Sequence, residues 1–360
     1  MSDPPPPERS GWKARRHRRR DRQRAALQAE VATHDPSDVA HFEKTARRYF
    51  REAIRAKLRE HMQAPWDDDG AHGLRVVIDL GMQELMCDAE RRSLVTQLQL
   101  SYADPLRLAV DAVEKASAPD ASSRSSSLAL ERASDGSLSA STSSQRHRAL
   151  EKADDALGRF ERSPATRLLF SSLSGVFESV LANDEGSARW SVRRSARRFD
   201  EAIAELPGAG ASAENTKESA FPPPHDFFAV PQDVFRRNSI VVLSPDADAT
   251  FPLHEPLDTR AIYVVGGLCD YRRVEGATLR RAAAATGDVV AKRLPIEDAF
   301  GTNASVNILT VNQTVEILSR VARNGGDWRA ALLETLPERK LREMRARSSL
   351  SAPPAETRET

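Results

Sequence analysis

The carboxy-terminal third decides the fold, because SIVVLS (239–244) and AIYVVGG (261–267) are two short runs of apolar, mostly β-branched residues. A helical pattern follows over about 276–285, and then comes a third run, DVVAKRL (288–294). Consecutive apolar positions in such short runs are typical of strands that are buried on both faces. Strands that alternate with helices in this way predict an α/β fold with a mostly parallel sheet covered by helices.

The same alternation extends outward from this third in both directions. The further predicted elements are helices over 311–323 and 327–336, the strands LRVVIDL (74–80) and RLLFSSL (167–173), and helices over about 82–102 and 191–205. Their order fits one α/β domain rather than two separate ones. We therefore assign a single domain to about 66–340, enlarged by insertions.

Several segments contain too few large apolar side chains to form a packed core. They are rich in Ser, Ala, Gly or Pro, and they comprise 1–12, the insertions near 116–148 and 207–224, and the carboxy-terminal tail 341–360. Such composition is typical of disordered chain. We expect these segments to be disordered.

A basic extension occupies the first 65 residues. KARRHRRRDRQR (13–24) contains eight Lys/Arg and one Asp, a net charge of +7. Apolar residues at three- and four-residue spacing over 38–63 then predict an amphipathic helix that also bears basic residues. The candidate RNA-binding residues of the extension are Lys13, Arg15, Arg16, Arg18, Arg19, Arg20, Arg48, Arg51 and Arg55. A nuclear import signal or a merely solvated charged face remains an alternative.

The composition of the whole chain narrows the cellular compartment but does not identify a binding partner. Lys and Arg number 53 against 52 Asp and Glu, so the net charge of +1 hides the basic extension. No run of about 18 apolar residues occurs, which predicts a soluble protein without a membrane span. Cys87 and Cys269 are too few for a disulfide framework, and they predict reduced thiols in an intracellular protein. The early acids and prolines of MSDPPPPERSG fit a mitochondrial presequence badly, so the nucleus or cytoplasm is expected rather than the mitochondrion.

Ligands of open parallel sheets bind beyond the carboxyl ends of the strands. The segments at these positions are 243–246, 265–270 and 307–313. Gly266 and Gly267 permit a ligand to approach the backbone closely, although they also suit an ordinary tight turn. Asp270 is the only carboxylate in its loop, and it suits a helix cap or a base. No His, Cys or acidic cluster has the spacing of a metal site.

Four motifs in this order and spacing are similar to those of a known family. They are GGLCDYRRVEGATLRRA (266–282), KRLPIEDAF (292–300), ILTVNQTVEIL (308–318) and GDWRAALLETLPERK (326–340). Together they resemble the tRNA N1-purine-9 methyltransferase family of the SPOUT superfamily. Upstream, IDLGMQELMCDAERRSLVTQLQLSY (78–102) resembles the opening strand and helix of the same family.

The resemblance implies a SPOUT-type α/β domain with a deep carboxy-terminal trefoil knot that binds S-adenosyl-L-methionine. It also implies a monomer that acts on tRNA, with Asp270 either helping to remove the N1 proton of the purine or positioning the base. The implied cofactor-binding residues are Leu243, Ser244, Gly266, Gly267, Leu279, Leu294, Leu309, Thr310 and Val311. Asn312 and Gln313 are expected to cap the last knotted helix or to hold its loop, and Gln97 to face the target base.

The sequence departs from the family pattern in ways that leave the target nucleotide open. Asp270-Tyr271-Arg272-Arg273 stands where many relatives have Asp-Arg-Asn-Arg, and Met82-Gln83 replaces a Phe-Asp pair. The first hypothesis is N1 methylation of guanine at tRNA position 9, with adenine as a second possible base. The alternative is a tRNA-binding platform with little activity, which needs a protein partner in a ribonuclease P-like complex.

Overall fold

The structure is a computed structural model of the full chain. It describes residues 39–66, 73–117, 142–184, 186–206, 239–269, 274–301 and 309–343. The chain forms two units, one made of residues 1–53 and 118–154 and the other of 54–117 and 155–360. The sheet and the candidate site both belong to the second unit.

Within the described residues, six strands form one sheet in which every pairing is parallel. The strands are β1 (Leu74–Asp79), β2 (Thr166–Ser171), β3 (Val192–Arg194), β4 (Ile240–Leu243), β5 (Ile262–Gly266) and β6 (Val289–Lys292). Their order across the sheet is β3-β2-β1-β5-β4-β6. All residues of β1, β2 and β4 are buried, as the consecutive apolar positions predicted. The predicted α/β class and parallel sheet are confirmed.

Helices follow most strands. They are α1 (Val39–Gln63), α2 (Asp88–Ser117), α3 (Thr142–Leu157), α4 (Gly175–Asn183), α5 (Phe199–Ala204), α6 (Ala277–Ala283), α7 (Ile296–Phe300), α8 (Val311–Arg323) and α9 (Trp328–Thr335). The predicted helices at 38–63, 276–285, 311–323 and 327–336 agree with α1, α6, α8 and α9. Among the described residues, no helix is long and apolar enough to cross a membrane.

One helix prediction was wrong. The region 191–205 contains strand β3 and the short helix α5 instead of a continuous helix. Leu168, Leu169 and Phe170 of β2 pair with Val192, Arg193 and Arg194, so sheet pairing overrides the local pattern. Trp190, two residues before β3, packs against Tyr102 with 5.7 Å between ring centroids.

Two helices extend into the predicted insertion at 116–148. Helix α2 does not end near Tyr102 but continues through Pro105 to Ser117, because Leu106, Val110 and Val113 bury its later turns. Helix α3 begins at Thr142, so both borders of the expected disordered segment are helical. Residues 118–141, like 207–224, lie outside the described residues.

Candidate cofactor site

A cavity of about 180 Å³ lies at the carboxyl edge of the sheet. The segment after β4, the end of β5 with its following loop, and the start of α8 surround it. Its lining comprises Leu243, Ser244, Pro245, Asp246, Thr250, Val265, Gly266, Leu268, Val274, Ala277, Thr278, Arg293, Leu294, Ile296, Glu297, Asp298, Leu309, Val311 and Thr314. The described parts of the three predicted segments therefore meet at one place, but only those after β4 and β5 follow a strand, because no described strand lies between α7 and Leu309.

The lining of the cavity combines apolar walls with a few polar groups. Leu243, Leu268 and Val311 are among the apolar residues, whereas Asp246 and Glu297 are among the carboxylates. Small-molecule sites typically have such apolar walls with few polar groups that fix orientation. The cavity suits a ligand that has both an apolar part and charged or polar groups, because Arg293 lines it together with these carboxylates.

Six of the nine predicted cofactor-binding residues line this cavity, namely Leu243, Ser244, Gly266, Leu294, Leu309 and Val311. The other three, Gly267, Leu279 and Thr310, are not among the lining residues. Leu279 lies half-buried on α6, and Thr310 is the N-cap of α8. Ligand contact by any of the nine stays a prediction.

Gly267 has a structural role next to the cavity. Its backbone N–H donates to the carbonyl oxygen of Asp79 at 2.8 Å, which ties the loop after β5 to the end of β1. A Cβ atom at this position would lie 2.8 Å from that oxygen and 2.7 Å from Cδ2 of Leu80. The close approach of two backbone segments therefore requires glycine here.

We expect Gly267→Ala to lower the free energy of unfolding by about 1–3 kcal/mol, because the added methyl group displaces the backbone of Asp79. The displaced loop also borders Gly266 and Leu268 of the cavity, so ligand affinity should fall. Thermal unfolding and calorimetric titration with S-adenosyl-L-methionine measure both effects. Gly186→Ala is the control, because Gly186 has helical φ of −65° and its added Cβ meets only a flexible side chain. Equal behaviour of the two variants would contradict the expectation.

Gln97 joins two of the segments that form the cavity. It is 7 % exposed, and its Oε1 accepts a hydrogen bond from the backbone N–H of Val311 at 2.9 Å. Its Nε2 donates to Sγ of Cys269 at 3.2 Å and to Oγ of Ser93 at 3.4 Å. The amide thus connects the loop after β5 to the first turn of α8. Contact between Gln97 and a target base remains a prediction.

We expect Gln97→Leu to lower the free energy of unfolding by about 1–3 kcal/mol, because it leaves the buried N–H of Val311 without its acceptor. Ligand affinity should fall with it, since Val311 lines the cavity. Chemical denaturation and cofactor titration check the two effects. The control is Thr96→Ala, an exposed position one residue earlier on α2. If Gln97→Leu matched this control in both measurements, the connecting role would be wrong.

Helix α8 begins with the cap that the sequence predicted for Gln313. The Thr310 hydroxyl accepts from the Gln313 backbone N–H, and the Gln313 side chain accepts from the Thr310 backbone N–H at 3.1 Å. This reciprocal capping box satisfies two backbone donors at the helix start. The expected cap by Gln313 is therefore confirmed, and it fixes the segment that carries Leu309 and Val311.

Asp270 lies outside the described residues, but the chain up to Cys269 is described. The backbone N–H of Cys269 contacts Sδ of Met86 at 3.3 Å, and its thiol accepts from Gln97. The loop is thus held by α2 and the segment before it, immediately ahead of Asp270. Tyr271, Arg272 and Arg273 also lie outside the described residues.

The basic extension is described only in part. The candidates outside the described residues are Lys13, Arg15, Arg16, Arg18, Arg19 and Arg20. Arg48, Arg51 and Arg55 lie on α1 and are half-buried. Nε of Arg48 lies 3.1 Å from a carboxylate oxygen of Glu52, one turn further along the helix. RNA binding by these residues stays a prediction.

A buried charge cluster near the cavity was missed by the sequence analysis. Asp79, which ends β1, is 2 % exposed and forms an ion pair with the Arg281 guanidinium of α6. One carboxylate oxygen also accepts from the Ser172 hydroxyl at 2.7 Å and from the Gly81 N–H at 3.2 Å. The only signal in the sequence was a charged residue at the end of an apolar strand, which does not reveal a partner 202 residues away.

Fold and site together define an α/β protein with a small-molecule cavity at the carboxyl edge of a parallel sheet. Among the described residues, no group of three His, Cys, Asp or Glu side chains could hold a metal ion. Residues 159–341 match the family described as tRNA (guanine(9)-N(1))-methyltransferase TRM10/TRM10A. The match includes every strand that contributes to the cavity, and the chain belongs to this family.

Curated relatives match shorter stretches. The Drosophila melanogaster tRNA (guanine(9)-N(1))-methyltransferase Trmt10A is 32% identical over 108 residues, which is 30% of this chain and 32% of the relative. The Eremothecium gossypii tRNA (guanine(9)-N1)-methyltransferase is 31% identical over 170 residues, or 46% of this chain and 49% of the relative. The chain thus spans a third to a half of the length of these relatives.

Solved structures are similar over a larger share of the chain. The structure of full-length spTrm10 in complex with SAH has a TM-score of 0.42 and 18% identity, covering 73% of this chain and 95% of that one. The dual specific Trm10 from Thermococcus kodakaraensis has a TM-score of 0.39 and 12% identity, covering 73% and 99% of the two chains.

Proposed function

We propose that this protein transfers a methyl group from S-adenosyl-L-methionine to N1 of guanine at position 9 of tRNA. The observation that carries the proposal is the cavity itself, because three separated motif segments of a TRM10/TRM10A family member line it together. The described part of the loop after β5 lines this cavity with Leu268 and reaches Cys269, the residue before Asp270 in the sequence. Cofactor cavity and candidate base are therefore adjacent in the chain.

The residues present fit the proposed cofactor. Apolar side chains such as Leu243, Leu309 and Val311 suit the adenine ring, and the carboxylates of Asp246 and Glu297 suit the positively charged groups. A Cβ atom on Gly266 would lie 2.7 Å from Oγ1 of Thr278, so glycine lets Thr278 of the cavity wall pack against the end of β5. When bound, the cofactor supplies an electrophilic methyl group on a sulfonium.

The protein's part of the reaction is alignment and removal of a proton. Guanine N1 carries a proton that must leave when the methyl group is attached, and Asp270 is the proposed acceptor. General-base assistance of this kind is worth about 10²–10⁴-fold in rate. Holding the reacting groups in line contributes further, because it converts an encounter of two molecules into a reaction within one complex.

The proposal includes a tRNA contact by the amino-terminal extension and a trefoil knot in the carboxy-terminal third. A segment with a net charge of +7 suits the phosphate backbone of RNA, whose binding is dominated by charge. Knots are rare in protein folds. The proposal of a knot is supported by the motif resemblance, together with the cavity that the segments 243–246, 265–268 and 309–314 line jointly.

Primer extension on a purified tRNA transcript tests the proposal. Reverse transcription should stop at position 9 only after incubation with both the protein and S-adenosyl-L-methionine, because N1 methylation blocks base pairing. A transcript with cytosine at position 9 is the matched control and should give no stop. Absence of a stop with every purine-9 transcript tried would contradict the proposal.

A further inference from the structure

A second group of arginines lies on the sheet domain itself, far from the basic extension in sequence. The segment SARWSVRRSARR (187–198) contains five arginines and no acidic residue. It forms a 3₁₀ turn over Ser187–Arg189 and the edge strand β3. Arg189, Arg194 and Arg197 are exposed, and we refer to these three as the edge arginines.

The edge arginines are held close to the sheet by hydrogen bonds. Nη2 of Arg194 donates to the carbonyl oxygen of Ser187 at 2.7 Å, which brings Arg194 to the turn that carries Arg189. The Ser195 N–H donates to the Phe170 carbonyl oxygen at 2.8 Å, so the chain continues along β2 as far as Arg197. A fixed backbone therefore presents the three exposed guanidinium groups.

Acidic side chains neutralise this group only in part. Among the described residues, neither Arg189 nor Arg194 forms an ion pair. Arg197 pairs with Glu205 at 2.8 Å, but both side chains are at least half exposed, and such surface pairs contribute little. Asp184 is engaged by the backbone N–H groups of Gly186 and Ser187. Among the described residues, positive charge therefore exceeds negative charge at this edge.

The edge arginines lie at the outer strand β3 of the sheet, and the cavity lies at the carboxyl ends of other strands of the same sheet. Strand β3 is separated from β5 by β2 and β1, which corresponds to three strand spacings or about 14 Å. Because all strands are parallel, Arg197 lies near the carboxyl edge at which β4 and β5 open into the cavity. A tRNA is much larger than this separation, so it can reach both places at once.

We propose that the edge arginines bind phosphate groups of the tRNA backbone and form an RNA-binding surface separate from the basic extension. This inference rests on the proposed function, which supplies tRNA as the substrate. Guanidinium groups suit phosphate because they donate two parallel hydrogen bonds and keep their charge. The contacts position the tRNA and carry no sequence information.

The test compares the Arg189→Gln/Arg194→Gln protein with wild type in tRNA binding over a range of salt concentrations. The slope of log Kd against log salt concentration should decrease by about 1–2, and Kd at low salt should rise about tenfold. KM for tRNA should rise while kcat at saturating tRNA stays unchanged. The control is Arg329→Gln/Arg339→Gln, which removes the same charge from two other exposed arginines.

The outcomes separate the surface from the activity. Suppose that wild type methylates position 9, but Arg189→Gln/Arg194→Gln and the control have the same Kd for tRNA and the same dependence of Kd on salt. The proposed edge surface is then wrong, whereas the proposed methyltransferase activity is supported. If Arg189→Gln/Arg194→Gln binds tRNA more weakly and with less salt dependence than the control, the edge surface is supported. This conclusion holds even if wild type methylates no tRNA. Thermal unfolding of all three proteins, followed by circular dichroism, shows whether a loss of tRNA binding is due to a loss of folding. If the variant that loses binding is also unfolded, the result counts against the surface.

Discussion

An Asp270→Asn variant is expected to methylate guanine at position 9 about 10²–10⁴-fold more slowly than wild type, without losing activity completely. The carboxylate is the proposed acceptor of the N1 proton, and asparagine cannot accept it. Alignment of the methyl donor with N1 remains, because the cavity-lining residues are unchanged. Single-turnover kinetics measure the effect free of product release.

Adenine at position 9 provides the sharper test of this role. Adenine N1 carries no proton, so any methylation of an adenine-9 transcript should slow much less in Asp270→Asn than methylation of guanine-9. Asp248→Asn is the matched control, since Asp248 is exposed and is not among the residues that line the cavity. Equal loss on both bases would contradict a role as base and would favour one in positioning.

The second large effect is expected for Arg281→Met, which should lower the free energy of unfolding by about 3 kcal/mol, the lower end of the range for buried pairs because the Arg281 side chain is 24% exposed. The substitution keeps most of the side-chain volume but leaves the carboxylate of Asp79, whose side chain is 3% exposed, without its charged partner. Breaking a buried pair costs this much because the remaining charge is no longer compensated. For a domain of this size the melting temperature should fall by roughly 10 °C.

Arg280→Met is the control for this substitution. Arg280 is the preceding residue of α6 and is exposed, and within the described part of the chain its side chain donates to the backbone carbonyl oxygen of Glu275 at 2.9 Å. Removing this guanidinium should change stability by less than about 1 kcal/mol. Chemical denaturation measures both variants. If Arg281→Met were no less stable than Arg280→Met, the buried cluster would not hold α6 to β1.

The Asp79–Arg281 pair also helps to position a helix that lines the cavity. Helix α6 contributes Ala277 and Thr278 to the lining, and Arg281 fixes the same helix one turn later against the end of β1. If Arg281→Met folds, it should therefore bind S-adenosyl-L-methionine more weakly than Arg280→Met. The comparison distinguishes positioning of the helix from general loss of charge.

The strands were predictable because their signal is local. Ile240, Val242 and Val264 belong to short apolar runs that must be buried, and the structure places all three in the core. The exits of β4 and β5 were identified for the same reason, since parallel strands end at one edge, whereas the third predicted exit, 307–313, follows no described strand. What the patterns could not supply was the order β3-β2-β1-β5-β4-β6. Periodicity describes one element at a time and does not specify its neighbours.

The errors arose where distant residues override local preference. Arg193 lies in a segment with a helical pattern, yet pairing of Val192 with Leu168 makes it an edge strand. The end of α2 was placed too early, because Pro105 is tolerated where buried residues continue on the same helix face. The Asp79–Arg281 pair links residues 202 positions apart, and charge patterns along one sequence do not identify such partners.

The central claim is tested most directly by mass spectrometry of nucleosides from tRNA incubated with the purified protein and S-adenosyl-L-methionine carrying a deuterated methyl group. The proposed activity predicts labelled N1-methylguanosine in guanine-9 tRNA, and none when position 9 is a pyrimidine. A tRNA pool without any labelled N1-methylpurine, under conditions in which the protein binds both tRNA and cofactor, would contradict the claim.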